Sequence, residues 1–150
     1  VAIEAGRIML RRLEELAASS ASFAFETTLA SRIFAQWITR QKRERGYRFH
    51  LVFLWLPNPE ESVRRVARRV ERGGHHVPPE VVRRRYVRGI ANFLSLYRPI
   101  ADSWSLHDNS SDARLIAMRE LGGPEVVLDW EGWQMVEKSS KAREDERVYG

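Results

Sequence analysis

A nearly continuous apolar run at residues 49–56, followed after Pro57 by Asn-Pro-Glu-Glu at 58–61, most constrains what this chain can fold into. The run has the length of a strand, and its apolar character predicts a central strand buried on both faces, as in parallel sheets. Asn58 can cap a helix, Pro59 suits the first helical position, and the two acids favour a helix amino terminus. A strand that leads directly into a helix favours an α/β layered fold with a mainly parallel sheet.

Two shorter apolar segments are also predicted as strands, and each is followed by polar residues. Residues 23–25 read Phe-Ala-Phe and lead into Glu-Thr-Thr at 26–28. Residues 104–107 lead in the same way into Asp-Asn-Ser at 108–110. In parallel sheets, ligands bind at the carboxyl ends of the strands. Both polar segments are therefore candidates for ligand binding, although residues 26–28 could equally form a simple turn.

The remaining elements are predicted from helical periodicity and from the residues that interrupt it. Helices are predicted for residues 1–18, 31–46, 59–72 and 79–97, further edge strands for 115–118 and 126–130, and a polar helix or tail for 134–149. We expect one domain over residues 1–128, incomplete at its amino end, and a polar helical tail over residues 129–150.

Composition limits the class of protein. The chain has 150 residues, no cysteine, and no apolar run near the roughly 20 residues that span a bilayer. These features predict a soluble, cytoplasmic protein without disulfides or thiolate metal sites. The side chains of adjacent His75 and His76 point apart, so no metal site is predicted there.

Positive charge is concentrated in one part of the chain. Nine arginines lie between residues 64 and 88 against two glutamates, a net charge of +7, while the whole chain carries +5. They fall on two predicted helices joined by a turn that begins at Gly73-Gly74. Guanidinium groups bind phosphoryl oxygens and can neutralise charge in phosphoryl transfer, so the cluster predicts an anion clamp or else a solvated basic face. Nucleic-acid binding is less favoured, because the rest of the chain carries −2.

Several short segments occur in a fixed order along the chain. They are Phe-Glu-Thr-Thr-Leu at 25–29, Phe-Leu-Trp-Leu-Pro at 53–57, Arg-Val-x-x-Arg-Val at 65–70, Gly-Gly-His-x-Val-Pro at 73–78, Arg-Arg-Tyr at 84–86 and Asp-Asn-Ser at 108–110. In this order and spacing they resemble the zeta-toxin-like group of P-loop ATPases and kinases. The resemblance extends from residue 2 to about residue 117, and the segment at 73–78 is its most specific part.

The resemblance implies a P-loop NTPase-like fold and an ATP-dependent small-molecule kinase that uses ATP and Mg²⁺. Zeta toxins phosphorylate a nucleotide-activated amino sugar, so a nucleotide-linked substrate and an antitoxin partner protein are implied as well. The implied site residues are Arg69, Arg84 and Arg85 as catalytic lid arginines, Glu26 and Thr28 at the substrate, and Arg65 and Asn109 at the nucleotide.

One part of the family pattern is absent from these 150 residues. They contain no Gly-x-x-x-x-Gly-Lys-Ser/Thr loop and no Gly-Lys pair, although that loop supplies most phosphate binding in such folds. We therefore expect the carboxyl-terminal portion of a kinase, missing its first strand and phosphate loop. The resemblance puts that strand between residues 23–25 and 49–56, which should then not be hydrogen-bonded neighbours. The alternative is an inactive remnant that serves as an anion-binding or protein-interaction module.

Overall fold

The computed structural model describes residues 2–145, and the side chains of residues 4–141 within that range. The described helices are α1 (Ala2–Ala18), α2 (Ile33–Arg45), α3 (Pro59–Glu71), α4 (Pro79–Asn92), α5 (Arg98–Ile100) and α6 (Trp130–Asp145), with a π-helical turn, Phe93–Tyr97, between α4 and α5. The strands are β1 (His50–Trp55), β2 (Ser103–Asp108), β3 (Arg114–Arg119) and β4 (Glu125–Val127). Helices and strands share one core, so the predicted α/β class is confirmed.

The four described strands form one mixed sheet in the order β1-β2-β3-β4. β1 and β2 are parallel, with Leu51 opposite Trp104, whereas β2, β3 and β4 are successively antiparallel. The prediction of a mainly parallel sheet was therefore wrong. The reason is loop length: a parallel pair needs a long crossover, which α3 and α4 supply after β1, but the short connections after β2 and β3 suit antiparallel neighbours.

Strand β1 lies at the edge of this sheet. Its burial alternates, because Leu51 and Trp55 are buried while Val52 and Leu54 keep 64% and 54% of their surface exposed. The prediction of a central strand buried on both faces was therefore wrong. Among the described residues β2 is the only strand paired with β1, so one side of β1 is open.

Residues 22–29 run opposite that open edge without forming a strand. The strand predicted at 23–25 is thus absent, because none of the strands in residues 2–145 lies beside it to complete its hydrogen bonds. Phe23 and Phe25 instead pack with their rings 6.2 and 6.4 Å from that of Trp37 in α2. As the resemblance implied, this segment and β1 are not hydrogen-bonded neighbours.

The carboxyl-terminal helix packs on the same core as the rest of the chain. Trp133 and Val136 of α6 are buried, and the Arg98 guanidinium lies 5.3 Å from the Trp133 ring and 5.7 Å from that of Trp104. Most of the helix predicted at 134–149 is confirmed, and residues 146–150 lie outside the described part. In the described part of the chain, no helix is long and apolar enough to cross a membrane.

Candidate functional site

A groove of about 1250 Å³ separates residues 22–29 from the open edge of β1. Aromatic and aliphatic side chains line it together with charged and polar ones. The charged and polar lining residues include Glu26, Thr27, Thr28, Ser62, Arg69 and Arg85, and also Arg45 and Arg48. The groove therefore collects four of the seven residues assigned from the sequence, namely Glu26, Thr28, Arg69 and Arg85.

The first turn of α3 carries ion pairs that join it to α4. The Asn58 side chain accepts a 2.8 Å hydrogen bond from the Glu60 N–H, which confirms the predicted cap. The Glu60 carboxylate accepts hydrogen bonds of 2.5 and 2.9 Å from Arg83 of α4, and these hold its pKa below the usual range. The hydrogen bond from Arg64 lowers the pKa of Glu61 in the same way. Arg64 and Arg83 are thus engaged within the protein.

Arg69 of α3 and Arg85 of α4 both line the groove, and within residues 4–141 neither forms a salt bridge. Both side chains are exposed. Arg84, which precedes Arg85, is exposed as well but does not line the groove. Two arginines from different helices thus remain available to one anionic ligand.

The Gly73-Gly74 turn packs directly on Arg69. Gly73 has φ +86°, which favours glycine, and the Gly74 N–H donates a 2.9 Å hydrogen bond to the Arg69 carbonyl. A Cβ on Gly74 would lie 2.7 Å from both Cγ and the carbonyl oxygen of Arg69. The turn therefore fixes the backbone and the stem of Arg69 at the mouth of the groove.

Tyr86 fixes the first half of α4 against the carboxyl end of β1. Its hydroxyl donates a 2.7 Å hydrogen bond to the carbonyl of Leu56, and burial raises the pKa of Tyr86. Because Tyr86 follows Arg85 directly, this contact sets the rotation of the helix that carries the arginine. From the sequence, Tyr86 is only part of the Arg-Arg-Tyr segment, since its role depends on a contact with a residue 30 positions away along the chain.

The second half of α4 holds the loop that carries Thr28. Gly89 is buried, and a Cβ there would lie 2.4 Å from the Thr28 carbonyl oxygen. Asn92 Nδ2 donates a 2.7 Å hydrogen bond to the carbonyl of Leu29, which has a positive φ of 55°. The Tyr97 hydroxyl donates to the Ser31 carbonyl. Neither Gly89 nor Asn92 was predicted from the sequence to have a role here. The one sequence signal for this close approach is a glycine inside a predicted helix.

The two residues assigned to the nucleotide contact each other outside the groove lining. Arg65 Nη2 donates a 2.5 Å hydrogen bond to the Asn109 carbonyl, and its Nε lies 3.4 Å from a Glu61 carboxylate oxygen. Asp108 accepts a 2.9 Å hydrogen bond from the Ser110 N–H. Burial alone would raise the pKa of Asp108, but hydrogen bonds from Ser110 and Arg114 outweigh it and lower the pKa. These contacts make the end of β2 a structured turn.

The charged side chains of the groove suit phosphate oxygens. Among the residues that the structure describes, Glu26 is the only carboxylate lining the groove, and no three acidic or histidine side chains cluster as a cation site. The planar guanidinium groups of Arg69 and Arg85 can each donate paired hydrogen bonds to phosphoryl oxygens. The groove can therefore bind a phosphate-bearing ligand through these two arginines.

Comparison with known proteins identifies a family. The sequence model described as Zeta toxin matches residues 1–116, more than two thirds of the chain. Searches of curated proteins and of solved structures give no significant match. The matched span contains the groove, including Arg69 and Arg85, and the Gly73-Gly74 turn.

Proposed function

The chain belongs to the zeta-toxin family, whose members are P-loop kinase-like proteins, and we propose that its groove is the phosphoryl-binding part of an ATP-dependent phosphotransferase. The observation that carries this proposal is the placement of Arg69 and Arg85, from two helices, on one groove that also exposes Glu26 and Thr28. The arginines would bind phosphoryl oxygens, and the polar loop would bind the acceptor molecule.

The physical case for the arginines rests on how phosphoryl transfer is catalysed. The transferred group carries negative charge spread over its oxygens, so catalysis depends on positioning and on charge neutralisation. The Gly73-Gly74 turn holds the backbone of Arg69, and Tyr86 holds the part of α4 that carries Arg85. A fixed backbone limits the positions that each guanidinium group can take, which favours the use of these arginines in transfer.

For the acceptor, Glu26 and Thr28 offer a carboxylate and a hydroxyl two residues apart on a segment that lines the groove. A carboxylate accepts hydrogen bonds from sugar hydroxyls, so a nucleotide-activated sugar is a suitable substrate class. The chain contains no Gly-x-x-x-x-Gly-Lys sequence, so we propose turnover only where such a phosphate loop joins these residues. An antitoxin that covers the groove would fit the same proposal.

Titration of residues 1–150 with inorganic tripolyphosphate tests the phosphoryl site without requiring turnover. Arg69→Ala should weaken binding about tenfold or more, as expected for loss of a hydrogen-bonded charge. Arg64→Ala, on the same helix but paired with Glu61, should change the affinity less than about twofold. Equal losses for the two variants would instead identify a general basic face.

The second candidate is a phosphate-binding module without catalysis, favoured by the absence of the phosphate-loop sequence. Both candidates bind phosphate, but only the first transfers a phosphoryl group. A protein that joins the phosphate loop to these residues should transfer the γ-phosphoryl group of ATP to a nucleotide sugar. If tripolyphosphate binds at Arg69 but such a protein transfers nothing, the binding module is the correct description.

A further inference from the structure

Helix α6 lies beyond the residues that match the family. The match ends at residue 116, within β3, whereas α6 begins at Trp130. The helix nevertheless belongs to the common core, because Trp133 is 7% exposed and Val136 is fully buried. An element outside the matched span therefore packs directly on elements within it.

The main packing partner of α6 is α4, the helix that carries Arg85. Near the start of α6, the centre of the Trp133 ring lies 5.3 Å from the guanidinium group of Arg98, which follows α4 along the chain. Near the other end of α6, Ser139 contacts Tyr86 in the first half of α4. The two helices are therefore antiparallel, and the second half of α6 lies beside the turn of α4 that holds Arg85.

The Tyr86 hydroxyl has contacts both at the end of β1 and on α6. It donates its proton to the Leu56 carbonyl at 2.7 Å. Burial raises the pKa of Tyr86, and hydrogen bonding with Ser139 opposes that rise. Because Tyr86 has already donated its proton, Ser139 is the donor in this contact, and its hydroxyl also donates to the Met135 carbonyl at 2.8 Å. Tyr86 thus joins α4 to the end of β1 and to α6.

We propose that α6 holds α4 in the rotation that directs Arg85 to phosphate, and that Ser139 is a positioning residue acting through its contact with Tyr86. The inference rests on the proposed function, since α6 has this role only if Arg85 binds phosphate. A helix held less firmly presents its arginine correctly for a smaller fraction of the time, and the apparent affinity falls by that fraction. Ser139 itself does not line the groove.

Two adjacent serines test this proposal in calorimetric titrations of residues 1–150 with tripolyphosphate. Ser139→Ala should weaken binding about threefold, and Ser139→Thr, which keeps the hydroxyl, should restore it. Ser140→Ala is the matched control, because Ser140 is also half-buried and its hydroxyl donates a 2.6 Å hydrogen bond to the Glu137 carbonyl of the same helix. The control should leave the affinity unchanged. Urea unfolding should show similar stability for the two alanine variants, so that a difference in affinity does not reflect a disturbed fold.

Double variants identify the arginine through which Ser139 acts. Added to Arg85→Ala, Ser139→Ala should cause no further loss of affinity, whereas added to Arg69→Ala it should cause the full loss of about threefold. Equal losses in the two backgrounds, equal effects of Ser139→Ala and Ser140→Ala, or no loss with Ser139→Ala would overturn the proposal and leave the role of Arg85 intact. If Arg85→Ala alone binds tripolyphosphate as tightly as the original chain, the proposed function fails, and this inference fails with it.

Discussion

The carbonyl oxygen of Thr28 lies where only a glycine at position 89 can accommodate it, since a Cβ on Gly89 would come within 2.4 Å of that oxygen. The neighbouring Asn92 hydrogen bond to Leu29 holds the same loop. α4 therefore carries Arg85 in its first half and positions the Thr28 loop with its second half. Arg85, proposed to bind phosphate, and Thr28, proposed to bind the acceptor, are therefore positioned by the same helix.

Gly89→Ala should destabilise the protein by about 1–3 kcal/mol, because the clash is with backbone and the buried helix cannot shift freely. Urea unfolding measures this change in the free energy of unfolding. Gly6→Ala is the matched control: nothing lies within 4 Å of its added methyl group, so it should stabilise α1 by about 0.5–1 kcal/mol. Similar effects of the two substitutions would show that the Thr28 loop moves away from α4 at little cost.

Binding of Mg-ATP to residues 1–150 should be weak or undetectable by calorimetry. The arginines supply charge, but the backbone amides and lysine of a phosphate loop are absent from the sequence. Tripolyphosphate needs no contacts to an adenine, so it should still bind, and Arg69→Ala should weaken that binding. A micromolar dissociation constant for Mg-ATP would show that other residues of the chain hold the nucleotide.

Strand β1 and the start of α3 could be predicted because their signals are local. The apolar run ends at Pro57, and Asn58 with Pro59 begins the helix, so each boundary is set by adjacent residues. The edge position of β1 could not be predicted in this way. It depends on which strands lie beside it, and an apolar strand at an open edge has the same composition as a central one.

The sequence predicts that the candidate site contains a cluster of arginines, but it does not show which of these arginines line the groove. Which of Arg84 and Arg85 reaches the groove depends on the rotation of α4, and that rotation is fixed by Tyr86 and Gly89 through distant contacts. The pairing of Arg83 with Glu60 likewise joins residues 23 apart. Such tertiary contacts do not change the spacing of apolar residues along a helix, so they cannot be predicted from that spacing.

Asp102 should make stability depend on pH in acid solution. Burial alone would raise its pKa, but hydrogen bonds from the Phe49 N–H at 2.6 Å and from Lys42 outweigh it and lower the pKa below the ordinary 3.8. A lowered folded pKa gives stability that is present above pH 3.8 and is lost as the pH falls through the folded value. Asp102→Asn should reduce that loss in urea unfolding between pH 5 and 2.5, whereas an unchanged pH profile would contradict the assignment.

If Arg85 binds phosphoryl groups because it lines the groove, it must differ from its exposed neighbour Arg84, which does not line the groove. Arg85→Ala and Arg84→Ala remove the same charge from neighbouring positions, and about 0.15 M salt screens the long-range part of that change. Calorimetric titration with tripolyphosphate should show a loss of affinity of about tenfold or more for Arg85→Ala and less than about twofold for Arg84→Ala. Equal losses, or a larger loss for Arg84→Ala, would contradict the account.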